Sequence, residues 1–225
     1  MRRAALRTTL VAGLALVAAF GCGDTEATST DGRMHTEERT SGQQLRPTDD
    51  SDPFGYEGAE TRSHVSDGGA FRIWWAVSGS HAPPAEDSNS NDIPDYVEFV
   101  ANVSDELAAA LDDGGWKLAM SDDPEDGTTP PGGDERFDIY LVDFSNGDGQ
   151  FRRDWCVENS SGVPQCAGHF RLENDFAGLN YPSPEYAARL VLSHEYFHAV
   201  QATYTGDLPA WWSEGTATWY EEVFD

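Results

Sequence analysis

The stretch His194-Glu195-Tyr196-Phe197-His198 constrains this chain more than any other. Leu190, Val191 and Leu192 precede the first histidine, and Ala199 and Val200 follow the last. A segment this apolar belongs inside a domain, where ionisable groups are kept only with a partner or a metal ion. A helix reconciles the two demands, because residues i and i+4 stand one above the other on a single face. His194 and His198 can then share one ion, with Glu195 beside it. The ends of such a helix are also marked. Ser183 suits the N-cap and Pro184 the first helical position, while Gly206 and Pro209 close the far end.

A second segment, Trp211-Trp212-Ser213-Glu214-Gly215-Thr216-Ala217, offers a further carboxylate. Fifteen residues separate His198 from Glu214. That is enough for the first helix to finish, turn at Thr205-Gly206-Asp207-Leu208-Pro209 and return as a second helix. An antiparallel pair of this kind brings Glu214 back over the histidines. His194, His198 and Glu214 are therefore expected to bind one Zn²⁺, with Glu195 placed to activate water.

The two segments together, HExxH followed by W-x-x-E-G-x-A, resemble the gluzincin branch of the zincin metallopeptidases. The resemblance covers about forty residues near the end of the chain. It implies His194, His198 and Glu214 as zinc ligands and Glu195 as general base, taking a proton from water and delivering it to the leaving amine. It also implies a protein or peptide substrate, an α+β zincin-like domain, and further chain beyond Asp225 to build the other wall of the cleft. The metzincin pattern is excluded: Gln201 stands where it needs glycine, Tyr204 where it needs a third histidine, and no methionine follows Met120. There is no GxMEN-type segment, so nothing supports exopeptidase action. Tyr204 and Tyr220 lie in the motif region, either as oxyanion donors or as packing aromatics. The rival readings are an exported binding protein with a structural zinc site and a zinc hydrolase acting on another bond. Retention of Glu195, which is no ligand, favours catalysis.

The N-terminus reads as an export device. Arg2, Arg3 and Arg7 precede an apolar run from Leu10 to Phe20 that is too short to span a membrane as a helix. The run ends Ala19-Phe20-Gly21-Cys22, which resembles the lipobox of bacterial lipoproteins and implies lipidation at Cys22. Ordinary signal cleavage near Gly21 is the alternative. Residues 1–22 are thus expected to be a signal peptide, and 23–60, with hardly an apolar residue, a disordered tether to the membrane. Residues 61–225 suffice for one domain with a core. In an exported protein, Cys156 and Cys166 are expected to form a local disulfide.

Composition removes one class of partner. The chain has 14 Lys and Arg against 40 Asp and Glu, a formal charge of −26, and its sole lysine is Lys117. Such a surface repels the phosphates of nucleic acid.

Three strands and a helix are expected before the motif. Phe71-Arg72-Ile73-Trp74-Trp75-Ala76-Val77, Phe137-Asp138-Ile139-Tyr140-Leu141-Val142 and His169-Phe170-Arg171-Leu172 are rich in aromatic and β-branched residues. The third lies nearest the motif, and His169 in it reads as a surface or packing residue rather than a ligand. A helix from about Asp95 to Leu111 places Val100, Val103 and Leu107 on one face, with Gly114-Gly115 beyond its end. Before it, Asp87, Asn89, Asn91, Asp95 and Glu98 supply oxygen donors, and Ile93 a carbonyl, at the spacing of an EF-hand calcium loop. Asp92 replaces the glycine of that loop. The sequence leaves two readings open, a structural calcium ion or an acidic turn in which Asp95 caps the helix. The loop from Ser121 to Glu135, rich in Pro and Gly, is expected to be solvated.

Overall fold

The structure is a computed structural model that describes residues 45–49, 51–124, 127–144 and 147–224. It is a mixed α+β fold, with a five-stranded sheet and three α-helices. Strands β1 (Thr61–Val65) and β2 (Phe71–Ala76) form an antiparallel hairpin, and helix α1 (Asp95–Asp113) carries the chain to β3 (Phe137–Val142), which runs parallel to β2. Strands β4 (Gly149–Glu158) and β5 (Pro164–Glu173) form a second hairpin, in which β5 pairs parallel with β3. The strand order is β1-β2-β3-β5-β4, which leaves antiparallel β4 on an edge. Helices α2 (Pro184–Tyr204) and α3 (Ala210–Phe224) complete the chain.

All three helices contribute to one core on one face of the sheet. Phe71, Ile73, Phe137, Ile139, Leu141, Phe170 and Leu172 alternate toward that face and meet Val100, Leu107 and Leu111 of α1 and Leu192, Tyr196 and Phe197 of α2. Helix α2 lies on β5 and β4 between α1 and α3. That position explains why it is apolar on nearly every side rather than along one stripe. Ser183 caps it by accepting from the Tyr186 N–H, and Pro184 opens it, as expected. Helix α1 ends where the Gly114-Gly115 pair predicts. Gly115 takes φ of 76°, and Trp116 N–H closes back on Leu111 O, so the chain turns with Trp116 against Phe197.

The opposite face of the sheet is covered by residues that composition alone assigns to a tether. Tyr56 is buried and donates through its hydroxyl to Leu141 O at 2.9 Å. Arg46 is 3% exposed and is paired with Asp122, Asp138 and Asp154, while Asp52 pairs with Arg171. Residues 45–49 and 51–60 therefore belong with the sheet through these anchors, and the expectation of a tether reaching residue 60 is corrected; residues 23–44 and the signal segment with Cys22 lie outside the described residues. A count of apolar residues misses this segment because its anchors are two charged side chains and one tyrosine. The described residues of the Ser121–Glu135 loop are exposed or half-buried as expected, except Asp122, which turns inward and is 1% exposed.

Asp154 sits at the register shift between Arg153 and Trp155 in β4, and this irregularity turns its carboxylate inward to Arg46 and to Nδ1 of buried His169. Of the two readings the sequence leaves for His169, surface or packing, the structure shows packing. Cys156 and Cys166 are register partners across β4 and β5 and are joined by a disulfide. Among the described residues, no helix is long and apolar enough to cross a membrane.

Candidate metal centre

His194 and His198 stand one turn apart on α2, and their Nε2 atoms face each other at 3.1 Å. Glu214 comes from the first half of α3. Its carboxylate oxygens lie 3.4 Å from His194 Nε2 and 3.6 Å from His198 Nε2. The turn that delivers it runs from Thr205 to Pro209, as the sequence predicts, and α3 opens with Trp212 and Ser213 N–H groups donating to Pro209 O. One donor atom from each of the three residues lies within 4.8 Å of the others. Among the described residues this is the one cluster of three or more His, Cys, Asp or Glu side chains so arranged. Two imidazole nitrogens and a carboxylate so converged could hold a metal ion.

The outward nitrogens of both rings are occupied. His194 Nδ1 lies 2.5 Å from Glu221 Oε1, and His198 Nδ1 lies 2.9 Å from Gln201 Oε1 and 3.1 Å from Ser213 Oγ. Acceptors at Nδ1 place the ring proton there and leave the Nε2 lone pair directed at the cluster. Sequence reasoning missed Glu221, Gln201 and Ser213. The available signal was helical: Glu221 follows Glu214 by two turns, and Gln201 follows His198 by one.

The local electrostatics are those of a carboxylate-rich niche. Burial works to lower the pKa of His194, but the Glu221 hydrogen bond and the charges of Glu195, Glu221 and Glu214 outweigh it and raise it. His198 is raised as well, because contact with the Glu214 carboxylate and the Glu195 charge overcome burial. Contact with the His198 imidazole, and the charges of His198 and His194, hold Glu214 below its ordinary carboxylate value. Glu195 moves the other way. Burial pushes its carboxyl upward against the two imidazoles, and its Oε2 accepts the backbone N–H of Phe151 at 2.7 Å. That contact ties Glu195 to β4, the edge strand that the sequence reading missed, whereas β5, which contains the expected third strand, lies inside the sheet.

Two tyrosines of the motif region point elsewhere. The Tyr204 hydroxyl accepts from Lys117 N–H at 2.9 Å, and Tyr220 is buried and stacked on Phe197. Both pack rather than face the cluster.

The loop proposed for calcium is closed by its own hydrogen bonds. Asp87 accepts from the N–H groups of Asn91 and Asp92, and Glu98 accepts from the side-chain amides of Asn89 and Asn91. Asp95 turns instead to Ser88, whose N–H and hydroxyl hold its pKa below the ordinary value. Ile93 packs partly against the core. The structure thus brings Asp87, Asn89, Asn91 and Glu98 into one loop and directs the Asp95 carboxylate to its rim.

No protein-family model matches the chain, and no curated protein matches it.

Proposed function

We propose that this protein is a zinc-dependent peptidase of gluzincin type, exported and anchored through lipid at Cys22. One observation carries the reading: two Nε2 atoms and the Glu214 carboxylate converge while Glu195, which is not part of that set, is held beside them. A structural metal site has no use for a buried carboxylate that is not one of its ligands. The donor set fits zinc, for which two histidines and a glutamate are a common three-residue complement that keeps one position open. When bound, zinc supplies a Lewis acid that polarises a carbonyl oxygen and acidifies water.

The chain's own residues then have distinct tasks. Glu195 receives the proton of the attacking water and returns it to the leaving amine. Glu221, Gln201 and Ser213 orient the two imidazoles through Nδ1. Edge strand β4 offers an extended peptide a strand to pair with, and its Phe151 touches Glu195, so a substrate lying there is brought to the base.

The test is zinc content measured together with casein hydrolysis, on the unsubstituted protein and on Glu195→Gln. One equivalent of zinc in both, with hydrolysis only in the unsubstituted protein, is the expected result. Stoichiometric zinc with no hydrolysis in either would favour a structural site in a binding protein, and absence of zinc would overturn the reading.

A further inference from the structure

Gln201 follows His198 by one turn of α2, is 8% exposed, and uses both ends of its amide. Its Oε1 lies 2.9 Å from His198 Nδ1 and accepts the Ser213 hydroxyl at 2.8 Å. Its Nε2 donates to Ser213 O at 2.9 Å and to Thr216 Oγ1 at 2.7 Å. Ser213 and Thr216 bracket Glu214 in α3. A single side chain therefore meets one ligand ring on α2 and the stretch of α3 that carries another ligand.

The amide has only one workable orientation. Ser213 O can only accept, so the amide nitrogen must face it, and the oxygen must then face His198. An acceptor at His198 Nδ1 requires the ring proton on that nitrogen, which frees Nε2 for an ion. The same amide fixes how far α3 slides along α2, and a slide of one residue, about 1.5 Å, would carry Glu214 off the cluster. A leucine of similar size could fill the space but could set neither the ring proton nor the register.

We infer that Gln201 is a positioning residue of the metal centre, coupling the tautomer of His198 to the register of the helix that delivers Glu214. The inference rests on the metal-site reading above. It gives a role to the residue that breaks the metzincin pattern.

The experiment is Zn²⁺ affinity by chelator competition on the full chain, with the absorption of the Co²⁺-loaded protein as a second readout of ligand geometry. Gln201→Leu removes every bond. Gln201→Glu keeps the acceptor for His198 but faces Ser213 O with an oxygen, so it isolates the register role. Thr216→Val removes one acceptor without touching a ligand, and serves if the Gln201 variants fold poorly. We expect affinity to fall about 10- to 100-fold in Gln201→Leu, with a smaller loss in the other two and an altered Co²⁺ spectrum in Gln201→Glu. Lower melting temperatures with unchanged affinity and spectrum in the folded variants would make Gln201 a packing residue and overturn the inference. Failure of the unsubstituted protein to bind either metal would overturn the metal-site reading itself.

Discussion

Glu195 accepts the backbone N–H of Phe151 at 2.7 Å, so the carboxylate beside the paired histidines is held by the edge strand of the sheet as well as by its own helix. The bond exists because α2 lies unusually close to the start of β4. Gly149 makes that approach possible. A Cβ built there would fall well inside contact distance of Val191 Cγ1 and 2.9 Å from Glu195 Cγ.

Gly149→Ala therefore has to push β4 away from α2. Overpacking of this kind costs about 1–3 kcal/mol, and the displacement moves the Phe151 N–H from Glu195. Thermal unfolding should show the loss, and casein hydrolysis should fall while metal content stays at that of the unsubstituted protein. Adding Val191→Ala removes the nearer obstacle and should restore part of both. A Gly149→Ala protein with full stability and full hydrolysis would show that the close approach is unimportant.

His194 is positioned by a different residue from His198, and by a charged one. Glu221→Ala deletes the acceptor at His194 Nδ1, so the ring loses its fixed proton and orientation. Loss of a partner of this kind lowers metal affinity by about 10- to 100-fold, readable by chelator competition. Thr218→Ala, at an exposed position between Glu214 and Glu221, is the control and should bind metal as the unsubstituted protein does. Equal affinity in Glu221→Ala would remove Glu221 from the site.

The parts of this molecule that were legible in its sequence share a physical cause. Helix α2 is long, capped by Ser183 and Pro184, and carries its chemistry at the one spacing that stacks side chains, so motif and element support each other. The turn to α3 was legible because Gly206 and Pro209 interrupt both helices. Strand β4 was not. Arg152, Arg153 and Asp154 break its alternation, and the irregularity at Asp154 sends a charge inward where period-two reasoning expects an outward one. The packing of Arg46, Asp52 and Tyr56 was invisible for a related reason: Arg46 and Asp52 read as solvated charges until their partners, far away in sequence, are known. Glu221 and Gln201 carry no motif of their own and acquire meaning only once α2 and α3 are placed side by side.

The Cys156–Cys166 disulfide closes the β4–β5 hairpin and lies under the turn between the two site helices, where a Cβ on Gly206 would be 3.0 Å from Cys166 Sγ. The chain-entropy contribution of so short a loop is about 3 kcal/mol. Replacing both cysteines with serine should lower the unfolding free energy by about that amount in denaturant titration. Zinc content should persist where the protein remains folded, because neither cysteine belongs to the cluster. Loss of zinc from folded Cys156→Ser/Cys166→Ser protein would mean that the hairpin sets the geometry of the α2–α3 pair.

Asp122 gives the fold a pH dependence of definite sign. Burial pushes its carboxyl up to about 8, helped by the charges of Asp154 and Asp138 and opposed by Arg46. Its ordinary value is 3.8, so the folded protein holds a proton that the unfolded chain releases. The stability this contributes is complete below about pH 4 and is lost progressively as pH rises through 8, at no more than about 1.4 kcal/mol per pH unit for one proton. His169 acts in the opposite direction: burial lowers its pKa from 6.5, so its contribution is lost as pH falls below that value. The window from pH 6.5 to 8 leaves His169 out. Glu173, which burial pushes up to about 7, and His194 and His198, which their carboxylate neighbours raise, lose their contributions in the same direction as Asp122. The share of Asp122 is therefore the difference in slope from Asp122→Asn. Unfolding free energy measured across this window should decline in the unsubstituted protein and decline less steeply in Asp122→Asn, with both proteins in the same metal state. The same slope in both would place the titration on another group.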